Sequence, residues 1–371
     1  MEFIDLKTQY QTYQEELEAA ALRVLRSGRY ILGPEVAELE GKLARFVKRK
    51  YALGVSSGTD GLLIILTALG IGPGDAVITT PFTFAATAEV IRRCGAQVVF
   101  ADISEKTMTL TPMKVKEALQ KAKREGLLPK AILAVGLFGL PAYLPELEEL
   151  ASSEGLFLIE DACQSLGAMA QGRPSGSFGI AAATSFFPAK PLGGYGDGGM
   201  IFTSNFELYE RMKALRVHGQ TERYQHRYIG FNARLDTFQA ALLLVKFKYF
   251  PAEIEQRQIV AKRYRQGLKD LPLSFQEVPA GYLSTYAQFT VCVRERDALQ
   301  AYLKKRGIPT AIYYPKPLHL QPAFEDLGYQ KGDFPVAESL AQNVISLPMH
   351  PFLSAIKQDF IIKSIRKFYG D

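Results

Sequence analysis

Over its first 250 residues the chain alternates short apolar runs with amphipathic segments. The apolar runs are rich in branched side chains, as buried strands are; they are AVITT, QVVFADI, KAILAVGLFG, LFLIED, AAATSFF and GGMIFT. Helical stretches lie between several of them, including GLLIILTALG, FAATAEVIRRCG and LPELEELASSEG. The last two end on glycine, as helices often do. This alternation predicts an α/β fold with a mostly parallel mixed sheet that helices cover on both faces.

The pattern changes near residue 250. We predict a long helix from Arg234 to about Tyr249, ended by Pro251. A charged helix should follow, and then a strand, a helix and a strand in AQFTVCV, DALQAYLKKRG and ISLPM. Strand, helix and strand over an antiparallel sheet are typical of a smaller α/β domain. We therefore expect a large domain over residues 1–250, with an N-terminal segment, and a small C-terminal domain over residues 251–371.

Composition narrows the class of protein. Apolar residues make up 47% of the 371 residues and charged residues 22%, which is ordinary for a globular protein. The N-terminus is acidic and polar, and no run of about 18 apolar residues occurs, so neither a secretory signal nor a membrane span is expected. The net charge of +6 suits an anionic small substrate, but also a basic protein without that role. Basic residues are spread along the chain, which argues against a nucleic-acid partner.

The three cysteines predict neither a disulfide framework nor a metal centre. They are Cys94, Cys163 and Cys292, widely spaced and odd in number. A reducing cytoplasm is the simplest location for such a chain.

The segment SFFPAKPLGGYGDGGMIFT contains the first candidate for chemistry, Lys190. This lysine follows an apolar strand, stands between Pro188 and Pro191, and precedes five glycines between residues 193 and 199. A lysine held on a stiff backbone suits covalent attachment of a carbonyl cofactor. The alternative is a solvated lysine in a glycine-rich loop, and spacing alone does not decide between them.

The segment FLIEDACQSLGA places Asp161 at the expected carboxyl end of a strand. Open α/β sheets bind their ligands at that edge. An aspartate there could pair with a pyridinium nitrogen and keep it protonated. Taken alone, Asp161 is better explained as the cap of the next helix.

In VSSGTDGLLIILTALG, small and hydroxylated residues precede an apolar helix. The backbone N–H groups of Gly58, Thr59 and Asp60 would then face outward at the positive end of the helix, where a phosphate can bind. Without partners, an ordinary capped helix is the better explanation.

Together and in this order, the three motifs resemble those of the fold-type-I pyridoxal-phosphate enzymes. Within them the chain is similar to the DegT/DnrJ/EryC1/StrS sugar aminotransferases. The likeness runs nearly from end to end, through IDLKTQY, GRYILGPEVAELE, SSGTDGL, TPFTFAATAEVI, IEDACQSLGA, SFFPAKPLGGYGDGGMI, RVHGQ, GFNARLDTFQAALL, YYPKPLH and LPMHP. The most similar branch aminates C3 of a UDP-linked 2-acetamido-2-deoxy-3-oxo-glucuronic acid for surface polysaccharides.

The resemblance implies an aspartate-aminotransferase-like fold, pyridoxal 5′-phosphate as cofactor, L-glutamate as amino donor and a homodimer with shared active sites. The large domain would bind the cofactor. Lys190 would hold it and move protons, Asp161 would contact the pyridine nitrogen, and Gln164 the phenolic oxygen. The resemblance assigns the remaining positions to three groups of contacts: the phosphate with Gly58, Thr59, Ser185 and, from the neighbouring subunit, Asn232; the ring face with Phe84; and the nucleotide sugar with Gly28, Tyr30, Arg234, Tyr313 and Tyr314.

Several of these positions have a simpler explanation. Phe84 could be a core ring, and Arg234 could pair with Asp236 instead of holding a sugar carboxylate bidentately. His218 is better explained as a structural histidine than as a catalytic base. Tyr313 departs from the family pattern, because relatives often carry histidine at this position, and its sugar contact is an open question.

Two other functions compete with amino transfer. Some relatives remove a sugar hydroxyl and carry histidine at the anchoring position, but position 190 here is lysine. A cofactor-binding regulator should carry a DNA-binding motif or a damaged catalytic set, and neither is visible. The choice between C3 and C4 of the sugar, and between nucleotides, stays open at this stage.

Overall fold

The computed structural model describes residues 1–370, and Asp371, the last residue of the predicted small domain, lies outside them. Its α-helices are α1 (Leu6–Thr12), α2 (Gln14–Ser27), α3 (Pro34–Phe46), α4 (Gly58–Ala68), α5 (Ala86–Arg93), α6 (Pro112–Arg124), α7 (Leu144–Ser153), α8 (Phe206–Leu215), α9 (Thr237–Leu268), α10 (Arg296–Lys305), α11 (Pro335–Asn343) and α12 (Ala355–Phe368). Short 3-10 helices span Leu318–Leu320 and Pro322–Leu327.

Each of the six apolar runs of the first 250 residues contains a strand, as predicted. The strands are β1 (Tyr51–Val55), β2 (Asp75–Thr79), β3 (Gln97–Phe100), β4 (Leu128–Val135), β5 (Phe157–Asp161), β6 (Met169–Ala170), β7 (Arg173–Pro174), β8 (Ala181–Ser185), β9 (Gly199–Thr203), β10 (Gln220–Glu222), β11 (Gln225–His226), β12 (Ser274–Phe275), β13 (Tyr282–Leu283), β14 (Phe289–Cys292) and β15 (Val344–Leu347).

The central sheet has seven strands in the order β1-β9-β8-β5-β4-β2-β3. Only β9 runs antiparallel to its neighbours, β1 and β8, and the other pairs are parallel. Alternate residues of β8 belong to different cores: Ala181 and Ala183 pack with α4 to α8, whereas Ala182 packs with α3 and α9. Both faces of the sheet are therefore covered, and the predicted fold class is confirmed.

Three strands end at one edge of this sheet. Asp161 is the last residue of β5 and Ser185 the last of β8, and these strands are parallel neighbours. Val55, the last residue of β1, pairs with Gly199 at the start of the antiparallel β9, and Gly199 also pairs with Ser185. Because α4 begins three residues after Val55, its N-terminus lies at the same edge as Asp161 and Ser185.

The predicted helix end at Pro251 is wrong. Helix α9 continues through this exposed proline to Leu268, so the two helices predicted here are one. An interior proline removes a backbone hydrogen bond and costs about 3 kcal/mol. Burial at both ends offsets that cost, because Leu243 packs against the central sheet and Tyr264 packs in the C-terminal core. The helix therefore crosses the domain boundary placed at residue 250, and that boundary stays a prediction.

The C-terminal region contains the predicted antiparallel sheet. Its strands β12, β14 and β15 pair antiparallel in that order, and α10 and α12 pack with them. Leu318, Phe324 and Phe334 pack instead in the core of the central sheet, so the chain returns to that core after residue 317. No helix within residues 1–370 is long and apolar enough to cross a membrane.

Candidate active site

The carboxylate of Asp161 is buried at the end of β5 and held by two donors. Thr87 of α5 donates from Oγ1 to Asp161 Oδ2 over 3.0 Å, and the backbone N–H of Cys163 donates to Oδ1 over 3.1 Å. Only 5% of Asp161 is exposed. The carboxylate caps a turn, but not an α-helix, and its second oxygen reaches a different element. Simple helix capping therefore does not explain this residue.

Gln164 lies three residues further on and links the strand end to Tyr314. Its Oε1 accepts a hydrogen bond from the backbone N–H of Phe138 over 2.9 Å, so its Nε2 faces Tyr314 and donates to the phenol oxygen over 3.3 Å. Burial raises the pKa of Tyr314 well above its ordinary value, so this phenol stays protonated. The amide of Gln164 is therefore fixed in one orientation.

The start of α4 packs against the strand ends of β5 and β8. A Cβ added at Gly58 would lie 2.5 Å from Cys163 Sγ and 3.0 Å from Ser185 Cβ, so only glycine lets the helix start this close. Ser57 caps the helix by accepting a hydrogen bond from the backbone N–H of Asp60 over 3.0 Å. The expectation that the Asp60 N–H faces outward is therefore wrong. The N–H groups of Gly58 and Thr59 belong to the first turn of α4, where no helical carbonyl precedes them as an acceptor.

Lys190 is half-buried in a turn that follows β8. Its backbone N–H donates to the carbonyl of Phe187 over 2.8 Å. The next residues are held by α9: Lys246 Nζ donates to the carbonyl of Gly193, and Gln239 Oε1 accepts from the backbone N–H of Tyr195 over 2.8 Å. The prolines at 188 and 191 and these contacts give Lys190 the stiff backbone that the sequence predicts.

The thiol of Cys163 lies close to both charged residues of the site. Burial, and then the charge of Asp161, raise the pKa of this thiol well above its ordinary value, whereas the charge of Lys190 lowers it. Asp161 and Lys190 are therefore both near Cys163.

Phe84 and Tyr314 form an aromatic wall beside this group. Their ring centroids are 6.3 Å apart, and Phe82 packs edge-on against Tyr314 at 6.4 Å. Phe84 is 59% exposed, so the alternative that it is a core ring is wrong. Tyr313 turns away from Phe84 toward the N-terminal segment, with its ring centroid 6.4 Å from that of Phe3.

A second group of predicted site residues lies around the start of α9. Ile31 forms a β-bridge with Asp236, and the backbone N–H of Thr237 donates to the carbonyl of Tyr30 over 2.9 Å, which brings Tyr30 close to Arg234. Gly28 ends α2 with φ +67°, a left-handed conformation that favours glycine. Within residues 1–370 Arg234 forms no ion pair, so the alternative pairing with Asp236 is not observed. Asn232 is exposed.

The predicted site residues thus fall into two groups, one assigned to the cofactor and one assigned to the substrate. The first combines a buried carboxylate, a half-buried lysine amine, a serine hydroxyl beside a helix N-terminus and an exposed aromatic ring. These fit a pyridine ring that carries an aldehyde and a phosphate, because each polar part of that molecule meets a complementary group. The role of each residue toward a ligand stays a prediction.

Sequence reasoning missed Thr87, Cys163 and the backbone N–H of Phe138. For Thr87 a signal was available: it follows Thr83 by four residues at a helix start, and the two hydroxyls lie 3.2 Å apart. The roles of Cys163 and Phe138 depend on strand pairing and chain turns that no local pattern shows.

Comparison with known proteins gives one family. Residues 11–366 match the model of the DegT/DnrJ/EryC1/StrS aminotransferase family. The chain is 46% identical over 353 residues to the UDP-2-acetamido-2-deoxy-3-oxo-D-glucuronate aminotransferase of Pseudomonas aeruginosa, covering 95% of this chain and 96% of that one. It is 43% identical to the pleiotropic regulatory protein of Geobacillus stearothermophilus, covering 99% and 98%. A crystal structure of a DegT DnrJ EryC1 StrS aminotransferase from Brucella abortus superposes over 100% of both chains with a TM-score of 0.97 and 45% identity.

Proposed function

The chain belongs to the DegT/DnrJ/EryC1/StrS aminotransferase family, and on this premise we propose that it transfers an amino group from L-glutamate to C3 of UDP-2-acetamido-2-deoxy-3-oxo-glucuronic acid. The cofactor of these enzymes is pyridoxal 5′-phosphate. The observation that carries the proposal is the buried carboxylate of Asp161, bonded to the N–H of Cys163, next to the start of α4, with Lys190 close to the same cysteine. The product is an amino sugar for surface polysaccharides, and the cytoplasm suits a chain with three free cysteines.

Pyridoxal phosphate supplies an electron sink that stabilises negative charge on the carbon next to the transferred nitrogen. The protein supplies the placement of protons. Asp161, oriented by Thr87 and the N–H of Cys163, would hold the ring nitrogen and keep it protonated. Lys190 Nζ would hold the cofactor through its amine, would take a proton from the Cα of L-glutamate and would later deliver one to C3 of the sugar. Proton transfer by a positioned side chain contributes about 10²–10⁴-fold in rate.

The start of α4 and the hydroxyl of Ser185 are the proposed phosphate contacts. The N–H groups of Gly58 and Thr59 lie at the positive end of the helix, where an anion is stabilised. Gln164 is proposed to donate to the phenolic oxygen of the ring, because its Nε2 already faces a phenol oxygen in Tyr314. Phe84 would cover one ring face, which its exposure and its position beside Tyr314 support.

Arg234 is the proposed partner of the sugar carboxylate. Its guanidinium forms no ion pair within residues 1–370, and a guanidinium binds a carboxylate through two parallel hydrogen bonds. Tyr30 lies close to it through the contacts at the start of α9. Gly28, Tyr30, Tyr313 and Tyr314 are the proposed contacts of the rest of the nucleotide sugar.

The proposed enzyme is a homodimer in which each active site uses both subunits. The exposed apolar side chains near the start of the chain support a second copy as partner, since a run of this kind on a monomer indicates an interface; they are Leu22, Leu25, Tyr30, Ile31 and Leu32. Asn232 is exposed close to the same region and is proposed to reach the cofactor phosphate of the neighbouring subunit.

The test is the absorbance spectrum of the purified protein, loaded with pyridoxal phosphate, before and after L-glutamate is added. The visible band of the bound cofactor should be lost with L-glutamate and return with the keto sugar, while Lys190→Ala should lack the band. Lys248→Ala, which changes an exposed lysine, should behave as wild type. A protein that binds the cofactor but keeps its spectrum with every amino donor would be the regulator, and the position of the new amine in the product separates C3 from C4.

A further inference from the structure

A small, partly open cavity lies beside the segment that carries Lys190. It is lined by three distant parts of the chain: Asp5 and Gln9 of the N-terminal segment, Arg257 of α9, and His350 after β15, together with Lys190 itself. It has about 10 Å³ of room for the centre of a water molecule. Lys190 is the one proposed cofactor contact in this lining; Asp161, Gln164 and Ser185 do not line it.

Two residues of this lining each carry a buried polar atom that has no hydrogen-bond partner among the described residues. The atoms are Arg257 Nε and His350 Nδ1, on side chains that are 3% and 2% exposed. Arg257 is otherwise held in place, because its Nη1 donates to the carbonyl of Tyr286 over 3.0 Å. Buried polar groups are almost always paired, and such an atom calls for a partner of matching chemistry.

The two atoms need different hydrogen-bond partners: one needs an acceptor and the other a donor. Arg257 Nε can only donate a hydrogen bond. Burial lowers the pKa of His350 to about 4, so its ring is neutral and one of its nitrogens can accept. A water molecule both accepts and donates, and about 10–15 Å³ with two to four polar partners is enough to hold one.

We propose that the Arg257–His350 cavity is a hydration site, in which one buried water accepts a hydrogen bond from Arg257 Nε and donates one to His350 Nδ1. The water joins α9 and the segment after β15 at the wall that Lys190 completes. Arg257 and His350 are then positioning residues for Lys190, acting through the water and the cavity wall. The hydration site stands without the proposed function, whereas this effect on amino transfer rests on it.

The carboxylate of Glu253, which does not itself line the cavity, holds Gln9 of the lining in place. It accepts a hydrogen bond from Gln9 Nε2 over 3.0 Å and another from the phenol of Tyr13 over 3.0 Å, which fixes α1 and the chain around it on α9. The charge of Glu253 also acts on Arg257 and opposes the fall that burial causes in the pKa of this guanidinium. The polar groups of the lining that come from α1 and α9 are therefore fixed in place, as an ordered water requires.

The direct test is a crystal structure of the cofactor-loaded protein at a resolution that shows buried waters. Density for one water within hydrogen-bond distance of Arg257 Nε and His350 Nδ1 supports the site. A map that shows other buried waters but none here overturns it. This result does not depend on turnover, so a failure of the proposed function leaves it intact.

The positioning role is tested with His350→Phe, which removes the acceptor, and His350→Gln, which keeps one. We expect His350→Phe to slow the spectral half-reaction with L-glutamate about tenfold and to shift the pH dependence of the cofactor's visible band, and His350→Gln to restore both. His226→Phe, at an exposed histidine, is the control. A folded His350→Phe protein with the wild-type rate and pH dependence overturns the positioning role, and if that variant does not fold, His350→Gln compared with wild type in the crystal decides whether the acceptor holds the water.

Discussion

Thr87 donates from Oγ1 to Asp161 Oδ2 over 3.0 Å, and this bond joins the first turn of α5 to the carboxyl end of β5. Both side chains are buried, so water does not compete for the bond. The carboxylate proposed to face the cofactor is therefore aimed by a residue of a different element, and that element can be changed without touching Asp161.

Replacing Thr87 with valine should remove this donor while keeping the shape of the side chain. A hydrogen bond to a charged group contributes about 1.5–3 kcal/mol, so we expect the half-reaction with L-glutamate to slow at least tenfold. Thr87→Ser keeps the hydroxyl and should stay near the wild-type rate. Stopped-flow absorbance measures both, and a valine variant as fast as wild type would show that the N–H of Cys163 alone orients the carboxylate.

Gly58→Ala should weaken cofactor binding, because the added Cβ would lie 2.5 Å from Cys163 Sγ. Overpacking of this kind costs about 1–3 kcal/mol, and here it displaces the helix start that is proposed to bind phosphate. Fluorescence titration with pyridoxal phosphate should give a Kd raised roughly fivefold to a hundredfold. Gly41→Ala, where the nearest atom to the new Cβ is 3.7 Å away, is the matched control. Adding Cys163→Ala should restore part of the loss, and additive effects would contradict the clash.

Arg234→Lys should weaken the binding of the uronate substrate. Lysine cannot form the bidentate contact, and the loss of a hydrogen bond to a carboxylate raises KM roughly tenfold or more. The half-reaction with L-glutamate should be unchanged, and so should KM for a keto sugar without the carboxylate. Asp236→Asn is the control, since the structure shows no pair between the two residues. An equal rise of KM for both sugars would assign Arg234 to another part of the nucleotide sugar.

Glu160 should make the stability of the protein depend on pH. Burial raises its pKa to about 7, despite hydrogen bonds from Ser175 and two backbone N–H groups. The folded state therefore holds this proton to higher pH than the unfolded state does, so the contribution is fully present below about pH 4.5 and is lost as the pH rises through 7. Glu160→Gln should gain up to about 3 kcal/mol relative to wild type between pH 5 and pH 8.

Chemical denaturation at several pH values measures this difference for Glu160→Gln, and the exposed Glu149→Gln serves as the control. A gap between Glu160→Gln and wild type that does not change with pH would show that the carboxyl is ionised throughout the range.

Co-expression of Lys190→Ala with Asn232→Ala tests whether the active site is shared. Each homodimer would carry a lesion in both sites, whereas in a mixed dimer both lesions fall in one site and the other is intact. Random pairing then predicts about a quarter of the wild-type activity. Purification through two different affinity tags isolates the mixed dimer, and activity no higher than that of the separate variants would place both residues in the site of one subunit.

The strands of the sheet could be predicted because each depends on local pattern, whereas the three site motifs, undecided one by one, pointed to a site only through their joint resemblance to a family. Runs such as LFLIED are buried strands, and the carboxyl ends of parallel strands meet at one edge, which is sufficient to place Asp161 and Ser185 together. The course of α9 could not be predicted in this way. Pro251 stops a helix in isolation, and only the packing of Leu243 and Tyr264 in two different cores keeps this one continuous. The contact between Thr87 and Asp161 likewise joins residues 74 positions apart.

Because α9 is continuous, it connects the two cores in which it is buried through one helix. There is no flexible linker at residue 250 that could absorb a rotation of the C-terminal sheet. Such a rotation must either turn the whole of α9 or bend it. Bending is easiest at Pro251, because this residue is exposed and the backbone there lacks one hydrogen bond. Gln239 and Lys246, in the half of α9 before Pro251, form hydrogen bonds with the residues after Lys190. Arg257 lies in the half after Pro251. A motion of the C-terminal region that turns α9 as one body would therefore also move the segment that carries the proposed anchoring lysine.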